Sequence, residues 1–308
     1  MDIKQMQSEM VRRQGVLVQF RATQWSGRAQ DKEVATMAAS QHQAKDGVIS
    51  AHKALIDPAH LTKIREIVRE AREVHMTMTI PWEYTGVALL PGKLVVDYDN
   101  KMGGLRGRFD GAVNALIRDY DQAIDDAKTM LGDAFDFEDY PSEEELRAKY
   151  EWEVTFSNVP ETTTNTVRQT LDDAAVAVIE SRLKTDYSHV VTAVVDRITD
   201  TVGHFIERLK AIDDTAVGDK KAALRQSTVD KLDDLRNLLP GLNITDDPAI
   251  AAAIAQLNSI DLSAKALREE PLTRKIAGDT AASVLAAVRA AHAASTPTST
   301  NQGEGSTQ

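Results

Sequence analysis

The chain has 308 residues, 42% of them apolar and only 5% aromatic, and it carries a formal net charge of −11. It contains no cysteine, which excludes disulfides, thiolate-bound metal clusters and cysteine nucleophiles. Residues 1–14 lack the apolar core of a secretory signal, and no apolar run reaches the roughly 18 residues of a membrane span. We therefore expect a cytoplasmic protein that does not bind membranes.

The charge is unevenly distributed along the chain. Residues 111–160 carry 13 acidic and 4 basic side chains, whereas residues 1–110 carry 13 acidic and 16 basic ones. Binding to phosphate backbones depends on counterions that basic groups displace, so the acidic middle disfavours nucleic acid there. The N-terminal third remains the candidate region for such a contact.

Two β-strands are predicted far apart in the sequence. Residues 16–22 alternate apolar and polar side chains, and residues 151–157 do the same with larger aromatic groups. An isolated strand leaves its backbone hydrogen bonds unmade, so we expect the two strands to form an antiparallel pair. Arg21 would then face Glu151 or Glu153 across the pair.

The segment between these strands is predicted to be a helical hairpin. One helix is expected over residues 32–55, a second after the Asp57-Pro58 N-cap, and a third from about residue 97 to Gly132. Ser142 to Glu145 has the pattern of a capping box that begins a short helix.

The tip of the hairpin, residues 78–96, contains prolines and glycines that exclude a continuous helix. Large apolar side chains in a long irregular segment are typical of a binding loop. Packing of the same side chains beneath the hairpin is the alternative. The candidate interaction surface consists of Pro81, Trp82, Tyr84, Leu89, Leu90 and Pro91.

A second, purely helical region follows Pro160. Apolar residues recur every three or four positions from Val167 to Ile212, which predicts one long, coiled-coil-like helix. Its period is closer to an eleven-residue than a seven-residue repeat, so we expect a straight or slightly right-handed stalk and no left-handed supercoil. Val194 lies on the apolar stripe, and Arg197 is expected one face round, in solvent.

Three shorter helices are predicted to cover the stripe: residues 220–239, a helix after Asp247-Pro248, and residues 279–293. The predicted class is mainly α, a hairpin closed by two antiparallel strands and followed by a long-helix bundle. The predicted organisation is an N-terminal arm (1–14), a hairpin unit (15–160), a helical bundle (161–294) and a disordered tail (295–308).

Sequence motifs for chemistry are weak. The histidines form no His-Glu-x-x-His pattern, and Gly103 to Arg108 lacks the Gly-Lys-Ser/Thr ending of a phosphate-binding loop. We therefore expect no catalytic residues, no metal, no cofactor and no enzymatic activity.

A group of arginines in the less acidic N-terminal third provides an alternative interpretation, in which the protein binds nucleic acid. Glutamates at 66, 70 and 73 are interleaved with the first three arginines, which favours a salt-bridged, solvated helix instead. The candidate nucleic-acid contacts are Arg65, Arg69, Arg72, Arg106 and Arg108.

Several short motifs resemble a family of phage and bacterial proteins of unknown function. They are Trp25-Ser26-Gly27-Arg28, Ile80-Pro81-Trp82, Leu89-Leu90-Pro91, Asp139-Tyr140-Pro141 and the stretch from Trp152 to Pro160. The resemblance covers about residues 15–160. Some members are encoded beside MoxR-type AAA+ ATPases and von Willebrand A-domain proteins.

The resemblance implies a phage-encoded, non-enzymatic accessory protein that acts in the host cytoplasm as an adaptor or partner of such an assembly. A homo-oligomer is compatible with this role. The alternative function is binding of single-stranded DNA during phage replication or recombination.

Overall fold

A computed structural model describes residues 14–45, 47–82, 86–160, 172–213, 224–244 and 248–295. The fold is mainly α, with a small antiparallel sheet near the N-terminus followed by a long helical region. None of the helices described there is long and apolar enough to cross a membrane. The predicted arm, the disordered tail, Val167 at the start of the stripe and the Asp247 cap lie outside the described residues.

The strands are short apart from the two that the sequence predicts. They are β1 (Gly15–Thr23), β2 (Arg28–Gln30), β3 (His52–Ala54), β4 (Ile80–Pro81), β5 (Val87–Pro91) and β6 (Glu151–Ser157). One sheet has the strand order β4-β5-β1-β6, and β2 and β3 form a separate antiparallel pair.

The helices occupy most of the remaining described chain. They are α1 (Lys32–Gln41), α2 (Ala59–Met78), α3 (Val95–Arg118), α4 (Tyr120–Leu131), α5 (Glu143–Ala148), α6 (Asp173–Asp213), α7 (Gln226–Leu242), α8 (Pro248–Asn258), α9 (Ala264–Glu269) and α10 (Pro271–Ser295). Short 3₁₀ turns lie at Gly92–Leu94, Gly132–Ala134 and Phe137–Asp139.

The chain divides into two compact units. We call Val18–Thr77 with Val95–Phe156 the hairpin unit, and the described parts of Met1–Leu17, Met78–Leu94 and Ser157–Gln308 the bundle unit. This division differs from the predicted boundary at residue 160. The tip of the predicted hairpin belongs with the C-terminal helices, because β4 packs against α6 and the turn after β5 against α7.

In the hairpin unit, β1 and β6 are neighbouring strands, as the sequence predicts. The exposed Arg21 guanidinium lies 3.8 Å from Glu151 and 3.7 Å from Glu153, which confirms the expected cross-strand ion pairs. Thr23 joins the strands at one end, since its hydroxyl accepts a hydrogen bond from the Glu151 N–H at 3.1 Å.

The Trp-Ser-Gly-Arg motif forms the turn between β1 and β2. Gly27 has a positive φ of 69°, and its carbonyl accepts a hydrogen bond from the Leu55 N–H at 2.8 Å. The buried Trp25 ring meets Tyr120 edge-on, with the centroids 6.0 Å apart. Arg65 donates to the Ser26 carbonyl at 3.0 Å. The motif therefore has a structural role in this unit.

The predicted helix over residues 32–55 is too long. It ends at Gln41, because Gln43 has a positive φ of 52°, which helical backbone does not allow. The chain then returns as β3, which pairs with β2 in a register that places Arg28 opposite Ala54.

The other hairpin helices follow their local signals. The Asp57 carboxylate accepts a hydrogen bond from the Ala59 N–H at 2.8 Å, where α2 begins. The predicted helix from residue 97 to Gly132 is interrupted at Asp119, which separates α3 from α4. The capping box at Ser142 and Glu145 is present at the start of α5.

In the bundle unit, α6 packs against α7 and α10 through the predicted apolar stripe. The described helix begins at Asp173, and its 41 residues span roughly 60 Å at 1.5 Å per residue. The buried stripe residues are Val190, Val194, Ile198, Val202, Phe205 and Leu209. The shorter helices differ from prediction mainly in length, and α9 lies in a segment with no predicted helix.

Arg197 corrects one expectation about α6. It is half-buried rather than solvated, and its guanidinium donates to the Thr79 carbonyl at 2.8 Å. Burial lowers the pKa of this guanidinium. Two faces of α6 are therefore covered in the bundle unit, since β4 packs beside the apolar stripe.

Candidate protein-interaction site

The prediction that residues 78–96 present an exposed interaction surface is wrong for most of the residues named for it. Trp82, Leu89, Leu90 and Pro91 are buried, and Leu89 and Leu90 are 0% exposed. Pro81 is exposed, whereas Tyr84 lies outside the described residues. The segment contains β4 and β5, where an irregular loop was predicted. The alternative interpretation, packing in the core, is therefore correct for Trp82, Leu89, Leu90 and Pro91.

The reason lies in the position of β5 in the sheet. It has β4 on one side and β1 on the other, and its consecutive residues from Ala88 to Pro91 are all buried. A strand with both faces covered consists of a continuous apolar run, which sequence periodicity does not distinguish from an apolar loop.

The five candidate arginines are all exposed in the hairpin unit. Arg108 forms a bidentate pair with Glu70, with two nitrogen–oxygen distances of 2.9 Å. Arg106 lies 3.9 Å from Asp110. Arg69 and Arg72 form no ion pair with any residue that the structure describes. The expected ion pairs between the arginines and glutamates of α2 are therefore not found among the described residues, since Glu70 pairs with Arg108 of α3 and Arg65 binds the Ser26 carbonyl.

His75 and Tyr98 belong to the aromatic core of the hairpin unit. The His75 Nδ1 and the Tyr98 hydroxyl are 2.8 Å apart, and Phe20 packs on Trp152 with centroids 4.8 Å apart. Burial lowers the pKa of His75 and raises that of Tyr98. Within the described chain, no cluster of three or more His, Asp or Glu side chains could hold a metal ion.

A groove on the acidic side of the hairpin unit is the strongest candidate site. It has a volume of about 740 Å³ and lies between α4 and the segment from Phe137 to Glu145. Tyr120, Ile124 and Tyr140 form a buried apolar floor. Phe137 stands on one wall with 67% of its surface exposed.

Hydrogen bonds hold the Phe137–Glu145 wall in place. The Tyr120 hydroxyl donates to the Pro141 carbonyl at 3.1 Å, and the Tyr140 hydroxyl donates to the Leu55 carbonyl at 2.6 Å. The Lys53 ammonium lies 2.7 Å from Asp139, a contact that raises the pKa of Lys53. The wall is thus tied to α4 and to the end of β3.

The charged side chains that line the groove are four carboxylates, Asp121, Asp125, Glu143 and Glu145, and two bases, Arg118 and Lys128. Residues 119–145 contain eleven carboxylates and one basic side chain, Lys128. Asp125 pairs with Lys128 at 2.9 Å, and the same ammonium lies 5.8 Å from the Phe135 ring centroid. Asp121, on the groove, makes no ion pair with a described residue. The negative charge of Asp121 is therefore not balanced by a basic side chain of the described residues, and it lies beside the apolar floor of the groove.

None of the residues that line the groove was predicted from the sequence to form a site. The acidic segment, the Asp139-Tyr140-Pro141 motif and the Ser142 capping box were all visible as local patterns. Their convergence depends on the hydrogen bonds of Tyr120 and Tyr140, which no local pattern predicts. The sequence signal that could have indicated the groove is a phenylalanine, Phe137, between the acidic residues Asp136 and Glu138.

The fold and groove define a mainly α protein with an acidic, partly apolar surface cleft. Comparison of the chain with protein-family models, with curated proteins and with solved structures finds no match.

Proposed function

We propose that this chain is a non-enzymatic interaction protein whose hairpin unit binds a protein partner. The observation that carries the proposal is the groove, where the exposed Phe137 ring borders a buried apolar floor. Large exposed aromatic side chains beside apolar pockets are characteristic of protein-binding surfaces. The wall is held by hydrogen bonds, so binding would order little additional chain.

The resemblance of the motifs supports a more specific role. It favours a phage-encoded accessory protein, an adaptor or partner of an AAA+ ATPase and von Willebrand A-domain assembly in the host cytoplasm. Adaptors of such machines act through binding surfaces and need no catalytic residues of their own. A groove with an apolar floor fits that requirement.

Affinity capture of the tagged full chain from cells that produce it naturally tests this function. An AAA+ ATPase or a von Willebrand A-domain protein is expected in the capture. Its recovery should fall at least about tenfold when Phe137 is replaced by serine. The matched control is Met37→Ser, which removes another exposed apolar side chain of the same unit, on α1. Equal recovery with both variants, or capture of neither partner by the wild-type chain, would contradict the proposal.

Nucleic-acid binding is the second candidate function, and one observation favours it. Arg69 and Arg72 are exposed on α2 and form no ion pair within the described chain, so they are available to phosphates. A gel shift with single-stranded DNA at low salt tests this candidate. Binding should weaken steeply with added salt and should be lost in the double variant Arg69→Gln and Arg72→Gln. Absence of a shift at micromolar protein would exclude it.

A further inference from the structure

We propose that the groove of the hairpin unit takes a lysine- or arginine-rich segment of the partner protein, anchored by one large apolar side chain. This inference rests on the proposed function and specifies the chemistry of the partner. It assigns two separate roles to the groove, apolar anchoring and recognition of positive charge.

The apolar anchor is inferred from the Phe137 wall and the floor beneath it. Phe137 is two-thirds exposed, whereas Tyr120 and Ile124 are buried directly beside the same groove. A partner side chain placed on this floor would also cover Phe137 and remove its apolar surface from water. Each Å² of apolar surface covered contributes about 25 cal/mol, so a large side chain is favoured over alanine or serine.

The positive charge of the partner is inferred from the two sides of the groove. Asp121 lies on the α4 side and Glu143 on the α5 side, and both carboxylates are exposed. Glu143 has only a loose contact with Arg147, at 3.7 Å. Two further carboxylates, Asp125 and Glu145, line the same groove, so a cation there would reduce repulsion between like charges.

The same charges argue against other occupants. A nucleic acid or an acidic peptide would bring phosphates or carboxylates into a groove lined by four acidic and two basic side chains. The two basic side chains that line the groove already have acidic partners: Lys128 lies 2.9 Å from Asp125, and Arg118 lies 3.5 Å from Asp119. A basic segment can pair with Asp121 and Glu143 and can also place a cation over the Phe137 ring.

The experiment uses fluorescein-labelled synthetic peptides titrated against the full chain, with binding followed by fluorescence anisotropy. The main probe is a short lysine-rich peptide with one central tryptophan. A second probe has alanine in place of tryptophan, and a third has glutamate in place of every lysine. The main probe is expected to bind, the alanine probe to bind about tenfold more weakly, and the glutamate probe not to bind.

Two pairs of charge-neutralising substitutions separate the groove from the overall charge. Asp121→Asn with Glu143→Gln should weaken binding of the main probe about tenfold. Glu66→Gln with Glu73→Gln changes the net charge equally on the exposed face of α2 and should leave the affinity unchanged. All four side chains are exposed, so folding is expected to be preserved and is checked by circular dichroism.

Each result bears on the proposal in one direction. Equal weakening by both pairs would show attraction by net charge alone and would overturn it. Equal binding of the tryptophan and alanine probes would overturn the apolar anchor. Self-association of the chain that the groove pair abolishes would identify a second copy as the occupant, which also overturns it. Specific binding of the main probe without capture of a protein partner would refute the proposed function and leave the groove chemistry supported.

Discussion

Two glycines in the hairpin unit differ in what the backbone requires of them. Gly27, in the turn of the Trp-Ser-Gly-Arg motif, has a φ of 69°, and an added Cβ would lie 2.6 Å from Leu61 Cδ1. Gly104 lies within α3, and a Cβ added there would meet no atom within 4 Å. The first glycine is therefore required by conformation and space, whereas the second only weakens a helix.

We predict opposite effects of alanine at these two positions. Gly27→Ala should lower the free energy of unfolding by about 1–3 kcal/mol, because it combines a left-handed backbone with a steric clash. Gly104→Ala should raise it by about 0.5–1 kcal/mol, because alanine reduces the backbone freedom of the unfolded chain. Urea unfolding followed by circular dichroism measures both. An unchanged stability of Gly27→Ala would mean that the turn has another conformation.

The contact between His75 and Tyr98 predicts a dependence of stability on pH. Burial lowers the pKa of His75 in the folded state below the value of about 6.5 expected for the unfolded chain. The unfolded state therefore binds more protons at this site, and the folded state loses stability as the pH falls through and below about 6.5.

Comparison of the wild-type chain with His75→Gln isolates this effect from other titrating groups. At pH 7.5 the variant should be less stable, because glutamine replaces an imidazole packed in the aromatic core. The difference in melting temperature should shrink as the pH is lowered to 5, since only the wild-type chain has His75 to protonate. A constant or growing difference over this range would show that the imidazole is not buried in its neutral form.

At the scale of helices and strands, local sequence signals were sufficient to predict a helix start where that start depends on hydrogen bonds between neighbouring residues. The Asp57 N-cap and the Ser142 capping box both begin helices through hydrogen bonds within three residues. The prediction of one helix over residues 32–55 was wrong because part of this segment forms β3. That strand pairs with β2, whose residues lie more than twenty positions earlier in the sequence. The prediction that Arg197 lies in solvent was wrong for the same reason, since its hydrogen-bond partner Thr79 is remote in the sequence.

Substitutions in α6 test how its faces are covered in the bundle unit. Val194 is only 4% exposed, so Val194→Asp should cost several kcal/mol of stability by burying a carboxylate. Arg197→Asp should also destabilise, because the Thr79 carbonyl would lose its donor and face a carboxylate. Asp196→Asn, at an exposed position of the same helix, should have little effect. Thermal melting measures all three, and a harmless Val194→Asp would contradict the burial of the stripe.

At the scale of the whole molecule, the units do not follow the order of the sequence. Val18–Thr77 and Val95–Phe156 form one unit, and the segment between them, Met78–Leu94, belongs to the other. The sequence predicted a boundary at Pro160 because the helical pattern changes there. It could not reveal that β4 and β5 are core strands for helices that begin some eighty residues later.

The final prediction concerns the helical segment 157–308 expressed alone. This fragment lacks Met78–Leu94, which contributes buried side chains such as Trp82, Leu89 and Leu90 to the bundle unit. Burial of a large apolar side chain contributes about 1.5–3 kcal/mol, and a typical domain is stable by only about 5–15 kcal/mol. The fragment should therefore keep helical circular dichroism but lose its sharp melting transition and bind a dye for exposed apolar surface. A cooperative transition at the melting temperature of the full chain, without dye binding, would show that the C-terminal helices need no strand from the hairpin tip.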